Sequence, residues 1–464
     1  MIARLLPVAA KSPNRSVEWV WQLLFIGAHV PLAMLIKKHS PYAMWHALAV
    51  LAVGVLLALR RRHFEGVACV AAYITGAEVF WRMRKADIPW EFGKYAVALV
   101  LLISLLRSPR PRRYWLPVAY FLLLLPSAAL TFMGLDATEA RDQLSFNLSG
   151  PLALALAAAF FHSLRFTKRE LRWIYASLIG PIVSIAWIGA VMLDKAQLDE
   201  FANDSNAIGS GGFGPNQVSA VLGLGILAAV FWLVVGAGNT VASGALAVLV
   251  LFLFRQCVVT FSRGGLYMAV GGILAAAFYL ARDRRTRWRL LGAAAVILPI
   301  LVFVIWPRLE SMTSGVIGER FGDTQLTGRD LLIKGDLESW SENIVLGIGP
   351  GMGGPNRLKY FHVSSAHTEY TRLVGEHGML GLAALVVLGL MTLRNIRSAP
   401  TRLDKALTAG MLAYALLSMV VDAMRLVSPA FAFGLSGAHL LRPRRSLKAA
   451  SVPSRPATRA ATGA

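Results

Sequence analysis

Long apolar runs alternate with short, arginine-rich connections along most of the chain. The runs reach about 18 residues or more, the length of a membrane-spanning helix. Short alternating segments of the kind that build a membrane β-barrel are not seen. Candidate spans fall at 18–36, 42–59, 64–81, 92–106, 114–133, 146–164, 172–193, 216–236, 240–260, 264–281, 289–306, 377–393, 405–422 and 426–441. The fourth and ninth have the weakest pattern, so the expected count is twelve to fourteen. The pattern predicts an all-α polytopic membrane protein.

One stretch breaks the rhythm. Residues 307–376 are polar and glycine-rich between two apolar blocks. This divides the chain into N-terminal transmembrane helices (1–306), a large extramembrane loop with short helices (307–376), C-terminal transmembrane helices (377–442) and a basic tail (443–464). The tail is rich in Ala, Ser, Pro and Arg, so it is expected to be disordered and to touch anionic lipid. Long loops are more often functional than idle.

Composition agrees with the pattern. The chain of 464 residues is 56% hydrophobic, and its mean hydropathy is +0.57. The net charge of +22 suggests nucleic acid until the basic residues are located. They gather in short loops, as the positive-inside rule expects, so membrane lipids and not nucleic acid are the expected contact. Cys69 and Cys257 lie inside apolar runs, which argues against a disulfide or a metal site. The basic leader runs into a full-length span and reads as a signal anchor. With the N-terminus in the cytoplasm, the arginine clusters at 60–62, 107–113, 165–172, 282–289 and 394–405 fall inside. The 194–215 loop, the Ser262-Arg263-Gly264-Gly265 turn and the 307–376 stretch then share the outer face. Lys37, Lys38, Arg82, Arg84 and Lys85 oppose the rule and read as snorkelling side chains.

Several residues could carry chemistry. Arg263 sits at the outer end of a span. Arg255 lies eight residues earlier, on about the same helical face and roughly 12 Å deeper. An intramembrane arginine faces a partner or a polar cavity. Together they could seat a phosphate, because arginine forks onto phosphate oxygens and does not titrate. The plainer roles are snorkelling for Arg263 and a structural ion pair for Arg255. Thr327-Gly328-Arg329-Asp330 has capping-box form and predicts a helix to about Asn343, with Ile333, Leu337 and Trp340 on its apolar face. Arg329 in the first turn opposes the helix dipole, which suits an anionic ligand; a solvated arginine is the plainer role. The glycines at 347–354 follow no strand, so they form a close-approach turn and not a nucleotide fingerprint. His367 follows Ser364 and Ser365, which are good N-cap residues. A helix start disfavours imidazolium and suits a neutral base. His377 is its competitor. No metal-ligand cluster and no Ser/His/Asp set stands out, so no cofactor is expected.

The order of motifs resembles the bacterial O-antigen ligase and polymerase superfamily, which includes protein O-oligosaccharyltransferases. Gly214-Pro215-Asn216 opens a span. Ser262-Arg263-Gly264-Gly265 follows, then Gly328-Arg329 with Trp340, then Asn343 with Gly347-Ile348-Gly349-Pro350-Gly351. His367 to Tyr370 then lead to Glu376-His377-Gly378 and Leu380-Gly381. The resemblance covers about residues 205–385. It implies about twelve membrane helices, one large periplasmic loop, and an active site on the periplasmic side of the inner membrane. It implies transfer of a glycan from an undecaprenyl-pyrophosphate donor to an acceptor hydroxyl, without metal or nucleotide. By motif, Arg263 and Arg329 would hold the pyrophosphate, and His367 would contact or deprotonate the acceptor. Asn216, Arg255, Arg320, Glu369, Tyr370 and Arg372 complete the candidate substrate-binding set. Two features depart from the family pattern. The arginine that the family often carries shortly before its Gly-x-Phe segment is missing at Gly209–Phe213, where Lys195 is the nearest basic residue and Arg255 or Arg320 is the expected substitute. Thr368 stands where asparagine is common.

The chemistry suits these residues. A lipid pyrophosphate is already a good leaving group and needs orientation and charge stabilisation. No carboxylate nucleophile is evident, so single displacement with inversion is expected. Ligase, polymerase and protein glycosyltransferase use the same parts, and the acceptor stays open among lipid A core, growing polysaccharide and protein. The alternative from another class is a lipid-linked glycan flippase. Flippases tend to carry internal repeats and polar sites at mid-depth, and neither is seen.

Overall fold

The computed structural model describes residues 17–60, 63–108, 114–193, 209–313, 315–322, 328–363 and 366–441. Among these the chain is almost entirely helical. In order it forms α1 (Glu18–Gly27), α2 (His29–Lys38), α3 (Pro41–Leu59), α4 (Phe64–Met83), α5 (Phe92–Arg107), α6 (Leu116–Leu122), α7 (Ala128–Gly134) and α8 (Ala137–Phe161). The two-residue strand β1 (Arg165–Phe166) follows, then α9 (Lys168–Leu193), α10 (Pro215–Val235), α11 (Thr240–Val258), α12 (Gly264–Leu280) and α13 (Arg284–Pro299). A π-helical turn (Ile300–Ile305) leads to α14 (Trp306–Met312), α15 (Val316–Gly322), α16 (Arg329–Glu342) and α17 (Gly354–Leu358). The chain ends with α18 (Glu369–Ser398), α19 (Arg402–Val421), α20 (Ser428–Leu435) and β2 (His439–Leu440).

Nine helical segments among the described residues are long and apolar enough to cross a membrane, counting α1 with α2 as one. The protein is therefore an all-α polytopic membrane protein. Helix starts are set locally. Asp136, Asn239, Asp283 and Thr401 each accept a hydrogen bond from a first-turn backbone N–H of α8, α11, α13 and α19, which satisfies donors the helix cannot.

The structure differs from the hydropathy reading at several places. The 114–133 run is two short helices broken near Pro126, which has no N–H to continue the ladder. The 426–441 run is an eight-residue helix whose end pairs β2 in parallel with β1, Arg165 opposite His439. The 377–393 run begins earlier, at Glu369, and is kinked at Gly378 (φ 58°, ψ −138°). Only glycine adopts that conformation readily. The glycine-rich turn docks on this kink. Ile348 and Gly349 donate to the carbonyls of Gly375 and Glu376 at 3.2 and 2.9 Å, and Met379 N donates to Ile344 O at 2.8 Å. Helix α16 ends at Glu342, as its spacing predicts, but buries Leu332, Gly335, Asp336 and Ser339, while Leu337 is exposed. The buried face is chosen by the ion pair of Asp336 with Arg357, at 2.6 Å. The proposed cap Thr327 lies outside the described residues.

Small residues set the helix spacing. A β-carbon at Gly265 would collide with the Ser219 carbonyl, so α12 and α10 meet backbone to backbone. Such close approach replaces the hydrophobic drive that lipid does not supply. Two ends of the bundle result. At one, Arg394 meets His162 and Asp404 accepts from Leu440 N. At the other, the 82–92, 209–216, 259–264, 366–368 and 422–427 segments come together.

Candidate active site

His367 is half-buried one residue ahead of Thr368, the N-cap of α18. The Ser364-Ser365 cap lies outside the described residues. The His367 carbonyl accepts from Ala423 N at 3.1 Å, and the Arg425 guanidinium donates to the Ala366 carbonyl at 2.9 Å. The 366–368 loop is thus tied to the turn after α19. His367 Nδ1 is buried without a hydrogen bond. Burial, with Arg425 and Arg329 nearby, pulls the imidazole down to about 4, against a smaller upward pull from the Val421 backbone. The ring is therefore neutral at physiological pH.

Arg329 opens α16 and is half-buried. Arg263 is half-buried just before α12. Its turn is held by Ser262 Oγ donating to Asn216 Oδ1 at 2.8 Å and by Ser219 Oγ donating to the Ser262 carbonyl at 2.8 Å. Gly264 packs on Val421, which carries the Ser-Arg-Gly-Gly turn to the end of α19. His367, Arg329, Arg263 and Asn216 are therefore drawn to one end of the bundle around the 421–425 turn.

The structure adds residues to this set. Asp422 is buried and pairs with Arg425, Nη1 to Oδ1 3.8 Å. Burial pushes the Asp422 carboxyl up, and Arg425, Arg329, Arg82 and Lys94 oppose it. Arg82 does not snorkel. Its side chain is 5% exposed, pairs with Glu78 at 2.8 Å, and donates to Gln217 Oε1 and the Arg425 carbonyl at 3.0 and 3.2 Å. Lys94 is fully buried, pairs with Glu91 and donates to the Met424 carbonyl at 3.3 Å. Glu78 accepts from Val427 N at 2.8 Å. Asp422 and Arg425, three residues apart between the last two apolar runs, were the available signal; Arg82 was hidden by the snorkelling rule.

Other candidates sit elsewhere. Arg255 is in the last turn of α11 and Arg263 is beyond its end. The chain breaks at 259–262, with Phe261 at φ +57°, so the two arginines do not share a helical face. Arg320 lies on α15, and its side chain is outside the described residues, as is Lys195. Glu369, Arg372 and Glu376 form a buried network. Arg372 forks onto Glu369 at 2.6 and 3.0 Å, meets Glu376 at 2.8 Å and donates to Asn147 at 3.2 Å. Arg357 joins Glu376, at 3.0 Å, to Asp336. Tyr370 donates to the Leu416 carbonyl at 3.1 Å. Glu369, Arg372 and Tyr370 thus make polar bonds within the protein. His377 is fully buried and bonded to Ser127 at 2.5 Å.

Space adjoins the cluster. A 20 Å³ cavity lined by Phe146, Asn147, Ala366 and Arg425 shares the first three of these residues with a 530 Å³ cavity. The larger cavity lies in the range of ligand sites, about 300–1,000 Å³. A second cavity of 420 Å³ is bounded by Arg82, Trp90 and Phe213. Among the described residues no three His, Cys, Asp or Glu side chains are grouped to hold a metal ion. No protein-family model matches the chain, and no curated protein matches it.

Proposed function

We propose that the protein transfers a glycan from an undecaprenyl-pyrophosphate donor to an acceptor hydroxyl, as an O-antigen ligase-like glycosyltransferase of the bacterial inner membrane. The observation that carries this is the convergence of Arg329, Arg425 and the Arg263 turn on His367, at the end of a helix bundle beside a 530 Å³ cavity. Arginines at a membrane surface orient a pyrophosphate and stabilise its growing charge as it leaves. Arg425 takes the place of the family arginine missing before Gly214. The neutral His367 contacts the acceptor. Asn216 holds the Ser262–Arg263 turn. Inversion follows from single displacement. A polymerase or a protein O-oligosaccharyltransferase would use the same centre with another acceptor.

One observation favours the flippase. The α6–α7 break faces the kinked α18 through Ser127 and His377, and interrupted helices are a transporter device. Single-turnover transfer in detergent separates the two, because detergent has no sides to transport between. Formation of the glycosylated acceptor supports the transferase; donor binding with no transfer to lipid A core, polysaccharide or protein acceptors removes it. Sidedness has its own test. In cells opened to the periplasm, cysteines at Gly315 and Pro355 are expected to label with an impermeant reagent and one at Thr286 is not. Labelling of the Thr286 position alone would reverse the orientation.

A further inference from the structure

Asp422 lies at the C-cap of α19 and is 4% exposed. Its Oδ1 accepts no hydrogen bond, and the Arg425 Nη1 contact at 3.8 Å is an ion-pair separation. A buried carboxylate oxygen without a donor is costly, and such an atom calls for an explanation. The neighbourhood supplies one. The Val421 backbone faces the His367 ring, and Ala423 N donates to the His367 carbonyl, so Asp422 lies between two contacts to that histidine. Ala423 takes φ +48°, a conformation residues with a β-carbon rarely adopt. The chain therefore bears local strain where the 421–423 segment, with Asp422 at its centre, is bonded to His367. The charged groups facing the carboxylate are Arg425, Arg329, Arg82 and Lys94.

We propose that Asp422 is the proton acceptor of the transfer reaction and that neutral His367 orients the acceptor hydroxyl. This rests on the transferase reading above. The acceptor oxygen attacks the anomeric carbon and forms the new C–O bond. The C–O bond to pyrophosphate breaks, and its electron pair leaves on the pyrophosphate oxygen beside Arg329 and Arg425. The hydroxyl proton passes to Asp422 Oδ1. Burial decides between the two bases. It favours the neutral form of each group, and that is histidine without the proton and aspartate with it. The carboxylate thus gains from the transfer what the imidazole would lose.

The test uses full-length protein in nanodiscs, with single-turnover transfer and binding of undecaprenyl pyrophosphate as the probe. Asp422→Asn is expected to lower transfer about 10²–10⁴-fold, the usual loss for a general base. The probe should bind that variant at least as tightly as wild type, since a negative charge facing the arginines is gone. His367→Gln keeps a hydrogen-bonding side chain and should retain much of its transfer. Asp422→Glu keeps the acid and should turn over faster than Asp422→Asn; if Asp422→Asn does not purify, a reduced rate with unchanged probe affinity in Asp422→Glu supports the proposal. Wild-type turnover in Asp422→Asn overturns it. So does loss of probe binding in Asp422→Asn, which would make Asp422 a scaffold residue, and so does a His367→Gln protein as inactive as Asp422→Asn. Failure of the wild-type protein to bind undecaprenyl pyrophosphate is a different result, and it overturns the transferase reading.

Discussion

Arg372→Ala is expected to lower the stability of the protein by about 3–5 kcal/mol, the usual cost of breaking a buried ion pair by removing one partner. The reason is what it leaves behind. Glu369 loses both of its hydrogen bonds to the guanidinium, and Glu376 loses one of its two arginine partners. Both carboxylates are 1% exposed, so water cannot replace the lost donor. Asn147 on α8 also loses its link to α18. Arg372→Lys keeps the charge without the fork and should recover part of the loss. Glu369→Gln combined with Arg372→Met removes charge on both sides and should cost less than Arg372→Ala alone. Thermal unfolding in detergent, followed by intrinsic fluorescence, measures all three. An unchanged melting temperature in Arg372→Ala would mean that the network is not structural and would return Glu369 and Arg372 to the substrate-binding set.

The spans were legible because lipid imposes one rule, that every backbone polar group be bonded within the segment. Apolar length alone therefore located α3, α4, α9, α10 and α11 to within a few residues. It could not find the break between α6 and α7 or the kink at Gly378, because both sit inside continuous apolar sequence and depend on one proline or one glycine. Single-residue charges were harder. Arg82 and Arg263 both stand at the end of a helix. Sequence gives no sign that one is folded inward onto Glu78 and Gln217 while the other caps a turn. The shared helical face of Arg255 and Arg263 failed for a related reason, since helical spacing means nothing across a chain break. Glu369 and Arg372 are a turn apart, as a binding pair or a structural pair would be. Only Asn147, from a helix more than two hundred residues earlier, shows that their bonds are used in packing. Asp422 was passed over because it is short and adjoins a span, where a carboxylate usually faces water.

The arginine pair gives the largest expected effect on donor binding. Arg329→Ala and Arg425→Ala should each weaken binding of undecaprenyl pyrophosphate by roughly 10- to 100-fold, given about 1.5–3 kcal/mol for a hydrogen bond to a charged group. Lysine at either site keeps the charge and loses the fork, so an intermediate loss is expected. Burial, helped by the same arginines, holds the His367 imidazole down at about 4, which gives an independent readout. A histidine whose folded value is depressed disfavours the fold once it is protonated. Its contribution to stability is therefore complete above about 6.5 and is lost as pH falls towards 4. Removing Arg329 or Arg425 takes away a cation and should raise the His367 value, so less stability is lost over that window. A bound pyrophosphate brings negative charge and should raise it further. Titration of ¹³C-labelled histidine in nanodiscs, with and without undecaprenyl pyrophosphate, follows the shift directly, with His367→Gln identifying the resonance. If the probe leaves the His367 titration unmoved and binds Arg329→Ala and Arg425→Ala as tightly as wild type, the pyrophosphate does not sit in this cluster.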